Sequence, residues 1–233
     1  MRVDDDTPLA DDARRIVAKV WHDRARGERA TAETFRVVAA GLAALDAEPE
    51  LVALAERAIA DELRHAERCW RVACAYAERE LAQPAALPLD LPAYDGADDE
   101  LRHSLHVVAQ CCLNETTASA FLERALQLAT AAPVRTTLRE LLADEVDHAR
   151  IGWAHLASPR MTTATRQAIA RWLPEMIATN LRTWGRRPDV PIAPELAAHG
   201  VPTWSTIDDI VETAHEQLIV PGLHHVGIAV LRP

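Results

Sequence analysis

The octapeptide ADELRHAE at residues 60–67 returns 83 residues later as ADEVDHAR at residues 143–150. Each copy places an Asp-Glu pair, and a His three residues after the Glu, inside a stretch otherwise striped with Ala, Leu and Val. Residues i and i+3 share a helix face, so Glu62 and His65 point one way together, as do Glu145 and His148. Burying acid and imidazole side chains is costly unless something compensates them. Carboxylate oxygens with imidazole nitrogens form the donor set that suits iron or manganese.

The same Glu-x-x-His spacing occurs at Glu100/His103 and Glu212/His215, so spacing within one helix does not decide between them. A site between helices also needs carboxylates from facing helices at the same height. Glu28 lies 34 residues before Glu62, and Glu115 lies 30 before Glu145. Counted from the turns near residues 46–49 and 130–133, each is level with its Glu-x-x-His to within roughly 8 Å and roughly 5 Å, at a rise of about 1.5 Å per residue. Glu100 and His103 follow DGADD in the first turn of a helix, where acids complement the helix dipole. They stand roughly 22 Å along the axis from Glu115. Glu212/His215 has no comparable Glu on a hairpin partner.

The predicted metal shell is therefore Glu28, Glu62, His65, Glu115, Glu145 and His148. Glu62 and Glu145 are expected to bridge two ions, with Glu28 and His65 completing one and Glu115 and His148 the other. Asp61 and Asp144, each just before a bridging Glu, are expected to accept the remaining N–H of a ligand His and set its tautomer. No catalytic residue is assigned beyond the ligands. Four carboxylates carry four negative charges, which two divalent cations cancel; without them the cluster must take up protons.

Helices must carry these residues. Hydrophobic residues make up 49% of the chain, Ala and Leu dominate, and there are only two Phe and two Tyr, so the composition favours helix over strand. Thr7-Pro8 marks the start of a helix running to about Asp46, with Gly27 a candidate kink. Pro49 starts a second helix to about Gln83. QPAALPLDLPAYDGADD, rich in Pro and Gly, is a crossover. A third helix runs from about Asp98 to Thr130, and a fourth from Pro133 to just before Ser158-Pro159. This order is the connectivity of an all-α four-helix bundle with one long crossover, over residues 8–158. Residues 160–233 form a C-terminal helical extension packed on the bundle, with helices from about Thr162 to Trp184 and from about Ser205 to Leu231, the latter bent at Pro221. With Trp172, Trp184 and Trp204, this extension is expected to cover a substrate cavity or to mediate homodimerisation, without supplying metal ligands. His215 is its best candidate for a substrate contact. Near Glu115, the small residues Cys111, Cys112, Thr116 and Ser119 either leave space for a substrate or dioxygen or allow close helix packing.

A formal net charge of −10 argues against nucleic-acid and anionic-membrane partners. No run approaches the length of a membrane span, and the acidic opening MRVDDDTPLADD has no apolar core of the kind a secretory signal needs. Four cysteines without zinc-type or redox spacing fit a reducing cytosol, which makes a cytoplasmic location the expectation.

Glu28 in GERATAETF, DELRH at 61–65, Glu115 in CLNETTASAF and DEVDH at 144–148 together resemble the ferritin-like diiron-carboxylate superfamily, which includes bacterioferritins, rubrerythrins and the bacterial multicomponent monooxygenases. The resemblance covers residues of about 10 to 157. The Asp-Glu-x-Arg-His form is similar to the monooxygenase version; the first copy has Arg64, and the second has Asp147 in its place. Asn114-Glu115-Thr116 and the pattern Asp-Glu-x-x-His-Ala also look like small stand-alone bacterial ferritin-like proteins. Aldehyde-deformylating oxygenases of the same superfamily have a similar chain length and ligand spacing. The resemblance implies a ferritin-like bundle holding two iron ions, or a Mn/Fe or two-Mn pair in the same shell. It implies dioxygen and a small organic molecule as reactants, with an electron donor whose identity the sequence leaves open. The expected activity is that of an oxidase or oxygenase; the alternative is a ferroxidase or iron-binding protein without organic substrate. About 75 residues beyond the four-helix unit, and the lack of a rubredoxin-type Cys pair, favour the enzyme.

Overall fold

A computed structural model of the chain describes residues 9–85, 88–187 and 191–230. Among the described residues there are helices and connecting turns but no strand. The expected helix start at Thr7-Pro8 lies outside them, as do residue 8 of the expected bundle and Leu231 at the expected end of the last helix.

Helix α1 spans Asp11–Ala44, with Asp11 and Asp12 in its first turn complementing the dipole. It runs through Gly27 without a break. A Cβ there would meet nothing within 4 Å, so this glycine answers no packing need. Asp46, in the left-handed region, turns the chain, and Pro49 opens α2, Pro49–Ala77. This helix ends six residues before the expected Gln83. Glu78 adopts a left-handed conformation, and the chain folds back so that the Trp70 indole donates to the Leu81 carbonyl at 3.1 Å. Asp98 caps α3, Asp99–Val107, by accepting from the Leu101 N–H at 2.8 Å.

The third long helix differs from a plain α-helix. Between α3 and α4, Glu115–Leu128, the segment Val108–Asn114 is π-helical, and the axis continues through it. Helix α5 spans Ala132–Ala157, with Pro133 in its first turn. Its end is tied to the α1–α2 turn by the Ser158 hydroxyl, which donates to Glu48 at 2.8 Å. Helix α6 spans Thr163–Trp184, capped by Thr162. The expected last helix is instead α7, Trp204–Ala214, a π-helical turn at His215–Ile219, and α8, Val220–His225. Pro221 has no N–H, and its ring crowds the preceding turn, so the chain widens there rather than continuing as regular α-helix.

Helices α1 and α2 pack along their lengths, α4 packs on α5, and the two hairpins meet through α2–α5 and α1–α3 contacts. Two apolar clusters fill the interior at different heights. One gathers Trp21, Cys69, Phe121, Leu138 and Leu141; the other gathers Phe35, Ala58, Cys111 and Ile151. Along α1, α2 and α5, the residues predicted as ligands fall between members of these two clusters. A third cluster joins α3, α5, α6 and α8 through Leu105, Leu156, Ile169, Leu173 and Leu223. Helices α6 and α7 thus lie against the side of the hairpins formed by α3, the π-helical turn and α4.

The close approach of α5 to the π-helical turn depends on Gly152, one turn after His148. A Cβ there would lie 2.6 Å from Cys112 Sγ and 2.8 Å from both Cys111 Cβ and the Cys112 backbone nitrogen. The neighbours include backbone and cannot simply rotate away. Cys111 and Cys112, both fully buried, serve this close packing rather than leaving open space. Gly152→Ala is expected to destabilise the protein by about 1–3 kcal/mol in urea unfolding. Unchanged stability would mean the two helices can separate at little cost.

Candidate metal centre

The structure brings all six predicted ligands together. Glu28, Glu62, His65 and Glu145 each offer one donor atom within 4.8 Å of the others, and so do Glu62, Glu115, Glu145 and His148. Glu62 and Glu145 belong to both groups. Either group could hold a metal ion. Glu62, His65, Glu115, Glu145 and His148 are at most 3% exposed; Glu28 is partly exposed as a residue, with its carboxylate buried. Glu100/His103 and Glu212/His215 take no part in either group.

Both imidazoles turn the same nitrogen inward. His65 Nδ1 lies 3.3 Å from Glu145 and 3.5 Å from Glu62. His148 Nδ1 lies 3.1 Å from each of the same two carboxylates. The outward nitrogens face the two aspartates crosswise: His65 Nε2 is 3.0 Å from Asp144 and His148 Nε2 is 3.5 Å from Asp61. With Nε2–H directed at a carboxylate, Nδ1 is left with its lone pair facing the cluster. The Phe35 ring, 5.0 Å from the His148 ring, packs beside it.

Arginines hold the aspartates from outside. Arg64 donates to Asp61 at 2.8 Å and to Asp144 at 2.7 Å, so one guanidinium joins the two copies of the motif. Arg57 donates to Asp147 at 2.8 Å and approaches Asp61 at 3.6 Å. Asp147, where the first copy has Arg64, pairs both with Arg57 on α2 and with Arg150 on its own helix at 2.7 Å.

The electrostatics are those of charges crowded into an apolar layer. Burial, reinforced by repulsion from Glu62 and Glu145, pushes the Glu28 carboxyl well above the usual range, and the same causes act on Glu115. Burial opposes charge on His65 and His148 too, but the Glu145 and Glu62 carboxylates beside them outweigh it and raise them to about 11 and about 10. Burial likewise opposes the charge on Glu145, yet its bonds to His148, His65 and Glu115 hold it below the usual range. These shifts favour protons on the metal-free cluster. Cations entering it must displace them, so affinity rises with pH. Both Glu62 carboxylate oxygens and His65 Nδ1 are buried without a hydrogen-bond partner, as a shell built for cations would leave them. Burial pushes the Cys69 and Cys111 thiols up, keeping them protonated and out of the donor set.

Several neighbours escaped the sequence reading. Gln110 donates to Glu115. Five residues apart, the two would point in different directions on an α-helix; the π-helical turn brings them onto one face. Asn114 and Thr116, on either side of Glu115, accept from the indoles of Trp184 at 3.3 Å and Trp153 at 3.1 Å. Thr116 is thereby engaged in packing. Ser119 Oγ is buried and has no partner among the described residues. Arg24, one turn before Glu28, stacks 4.2 Å from the Trp21 ring and 5.1 Å from the Phe121 ring.

Comparison with protein-family models and with curated proteins gave no match.

Cations that neutralise buried carboxylates stabilise the folded chain, and increasingly so as free metal rises. Ferrous iron, added anaerobically, is expected to raise the melting temperature. Glu62→Gln should shrink the increment, and Glu100→Gln should leave it intact. Equal effects of the two changes would place the metal elsewhere.

Proposed function

We propose that the chain is a non-haem diiron carboxylate protein of ferritin-like architecture that activates dioxygen to oxidise or oxygenate a small organic molecule. The two hairpins then form a four-helix bundle with one long crossover. The observation that carries this reading is the sharing of Glu62 and Glu145 by two otherwise separate ligand groups. Two ions held by two common carboxylates meet the charge of four buried glutamates. An all-oxygen-and-nitrogen shell suits iron, with Mn/Fe or two Mn as variants of the same shell.

When bound, such a pair would supply Lewis acidity and relay electrons for dioxygen chemistry. Glu62 and Glu145 would serve both ions, Glu28 and His65 would complete the holding of one, and Glu115 and His148 that of the other. Asp144 and Asp61 hold the ligand imidazoles in their Nδ1-inward tautomer. Gln110 fixes the Glu115 carboxylate, and the apolar clusters above and below exclude water. The organic molecule is held on the side of Glu115 and α1, where Ser119 offers an unpartnered hydroxyl and Arg24 a buried nitrogen without a partner. Electrons come from an external donor.

A second reading, a ferroxidase or iron-binding protein without organic substrate, is favoured by one observation. Glu28 is the one ligand candidate whose residue is partly exposed, so the buried cluster comes nearest the surface at α1.

The test is oxygen consumption by anaerobically ferrous-loaded protein supplied with a chemical reductant. The proposal expects sustained uptake with iron limited to two per chain. It also expects Asp144→Asn to lower metal affinity or turnover by roughly 10–100-fold. Accumulation of many irons per chain would favour the ferroxidase reading, and failure to consume oxygen would overturn the oxygenase and ferroxidase readings alike.

A further inference from the structure

A cavity lies away from the metal cluster, between α6 and the segment formed by α7, the following π-helical turn and the start of α8. Its volume is about 680 Å³, within the range of small-molecule sites. Its walls are apolar, with Pro174, Ile177 and Leu181 on α6 facing Val211 and Val220. None of its lining residues belongs to either metal-ligand group.

The polar groups it presents are of one kind. His215 lines it and is 6% exposed. Its Nε2–H donates to Asn180 Oδ1 at 2.8 Å, which leaves a lone pair on Nδ1, and that buried atom has no partner. Burial lowers the basicity of this imidazole, so at neutral pH it stays an acceptor rather than taking up a proton. Glu212, three residues before His215, and Glu216, the residue after it, are exposed at the rim, and neither forms an ion pair among the described residues. Asp208 stands on the same line but is already paired with Arg187. The side-chain donors of the lining, the His215 Nε2–H and the Trp184 indole, are engaged by Asn180 and Asn114. An apolar cavity whose unspent polar groups are all acceptors or anions selects a ligand with an apolar body and a positively charged donor.

We propose that this cavity is a binding site for a small organic amine, whose apolar body packs between α6 and α7 and whose ammonium group donates to His215 Nδ1 within the field of Glu212 and Glu216. An acid of the same body would meet repulsion from the rim and find no donor inside. The inference does not rest on the metal reading, because it concerns other residues and binding without turnover.

The test is isothermal titration of the full chain with two amines of different shape, tryptamine and octylamine, against indole-3-propionate and octanoate. At least one amine is expected to bind, at least tenfold more tightly than the acid of the same body. The double variant Glu212→Gln/Glu216→Gln, at exposed positions, should weaken amine binding severalfold and reduce its dependence on salt. His215→Leu should weaken it about tenfold or more, as loss of a charge-assisted hydrogen bond does. Binding of neither amine, equal binding of acid and amine, or unchanged amine affinity in the rim variant would overturn the proposal. The rim variant decides even if His215→Leu fails to fold.

Discussion

Four glutamates share one layer of an interior that is otherwise apolar, and no solvent is there to spread their charge. Coulomb repulsion between buried carboxylates is several times stronger than between exposed ones. Everything around the layer answers to this. Two histidines enter from α2 and α5 with Nδ1 turned toward Glu62 and Glu145. Apolar clusters on both sides keep the helices straight and close. Without cations, protons hold the layer, on His65 and His148 and on the raised carboxyls of Glu28 and Glu115. With cations, the same donors are already aimed.

The layer is anchored asymmetrically. Asp61 and Asp144 occupy matching places in the two motifs, and a single guanidinium, Arg64, joins them. The second motif has no arginine at the place of Arg64, and its Asp147 is held between Arg150 on its own helix and Arg57 on α2. Glu115 stands apart from any Glu-x-x-His motif. It is placed by a π-helical turn that brings Gln110 beside it and by two indoles that hold Asn114 and Thr116. Helix α6 supplies one of those indoles, Trp184, so the C-terminal segment braces the ligand helix and borders its own cavity at once.

The helical order and the convergence of Glu28, Glu62, His65, Glu115, Glu145 and His148 could be inferred from the sequence, because both follow from helical periodicity and from counting residues away from turns. Glu100/His103 could be set aside on the same arithmetic. What could not be inferred depends on departures from that periodicity. Gln110 is five residues from Glu115 and faces it only through a π-helical turn, for which the residues Val108–Asn114 carry no pattern. The early end of α2 follows from a left-handed Glu78, a conformation a Glu does not advertise. The Arg57–Asp147 pair spans 90 residues and two helices. Cys111 and Cys112 could have lined a space or a contact; their position against Gly152 settles the matter for packing.

The central claim is that Glu62 and Glu145 are held in common by two metal ions. A crystal structure of protein loaded anaerobically with ferrous iron, with anomalous data collected at the iron edge, tests it most directly. The account predicts two peaks about 4 Å apart, both within bonding distance of Glu62 and Glu145, one beside His65 and the other beside His148. A single peak, or iron bound at Glu100 and His103 with the buried cluster empty, would contradict it.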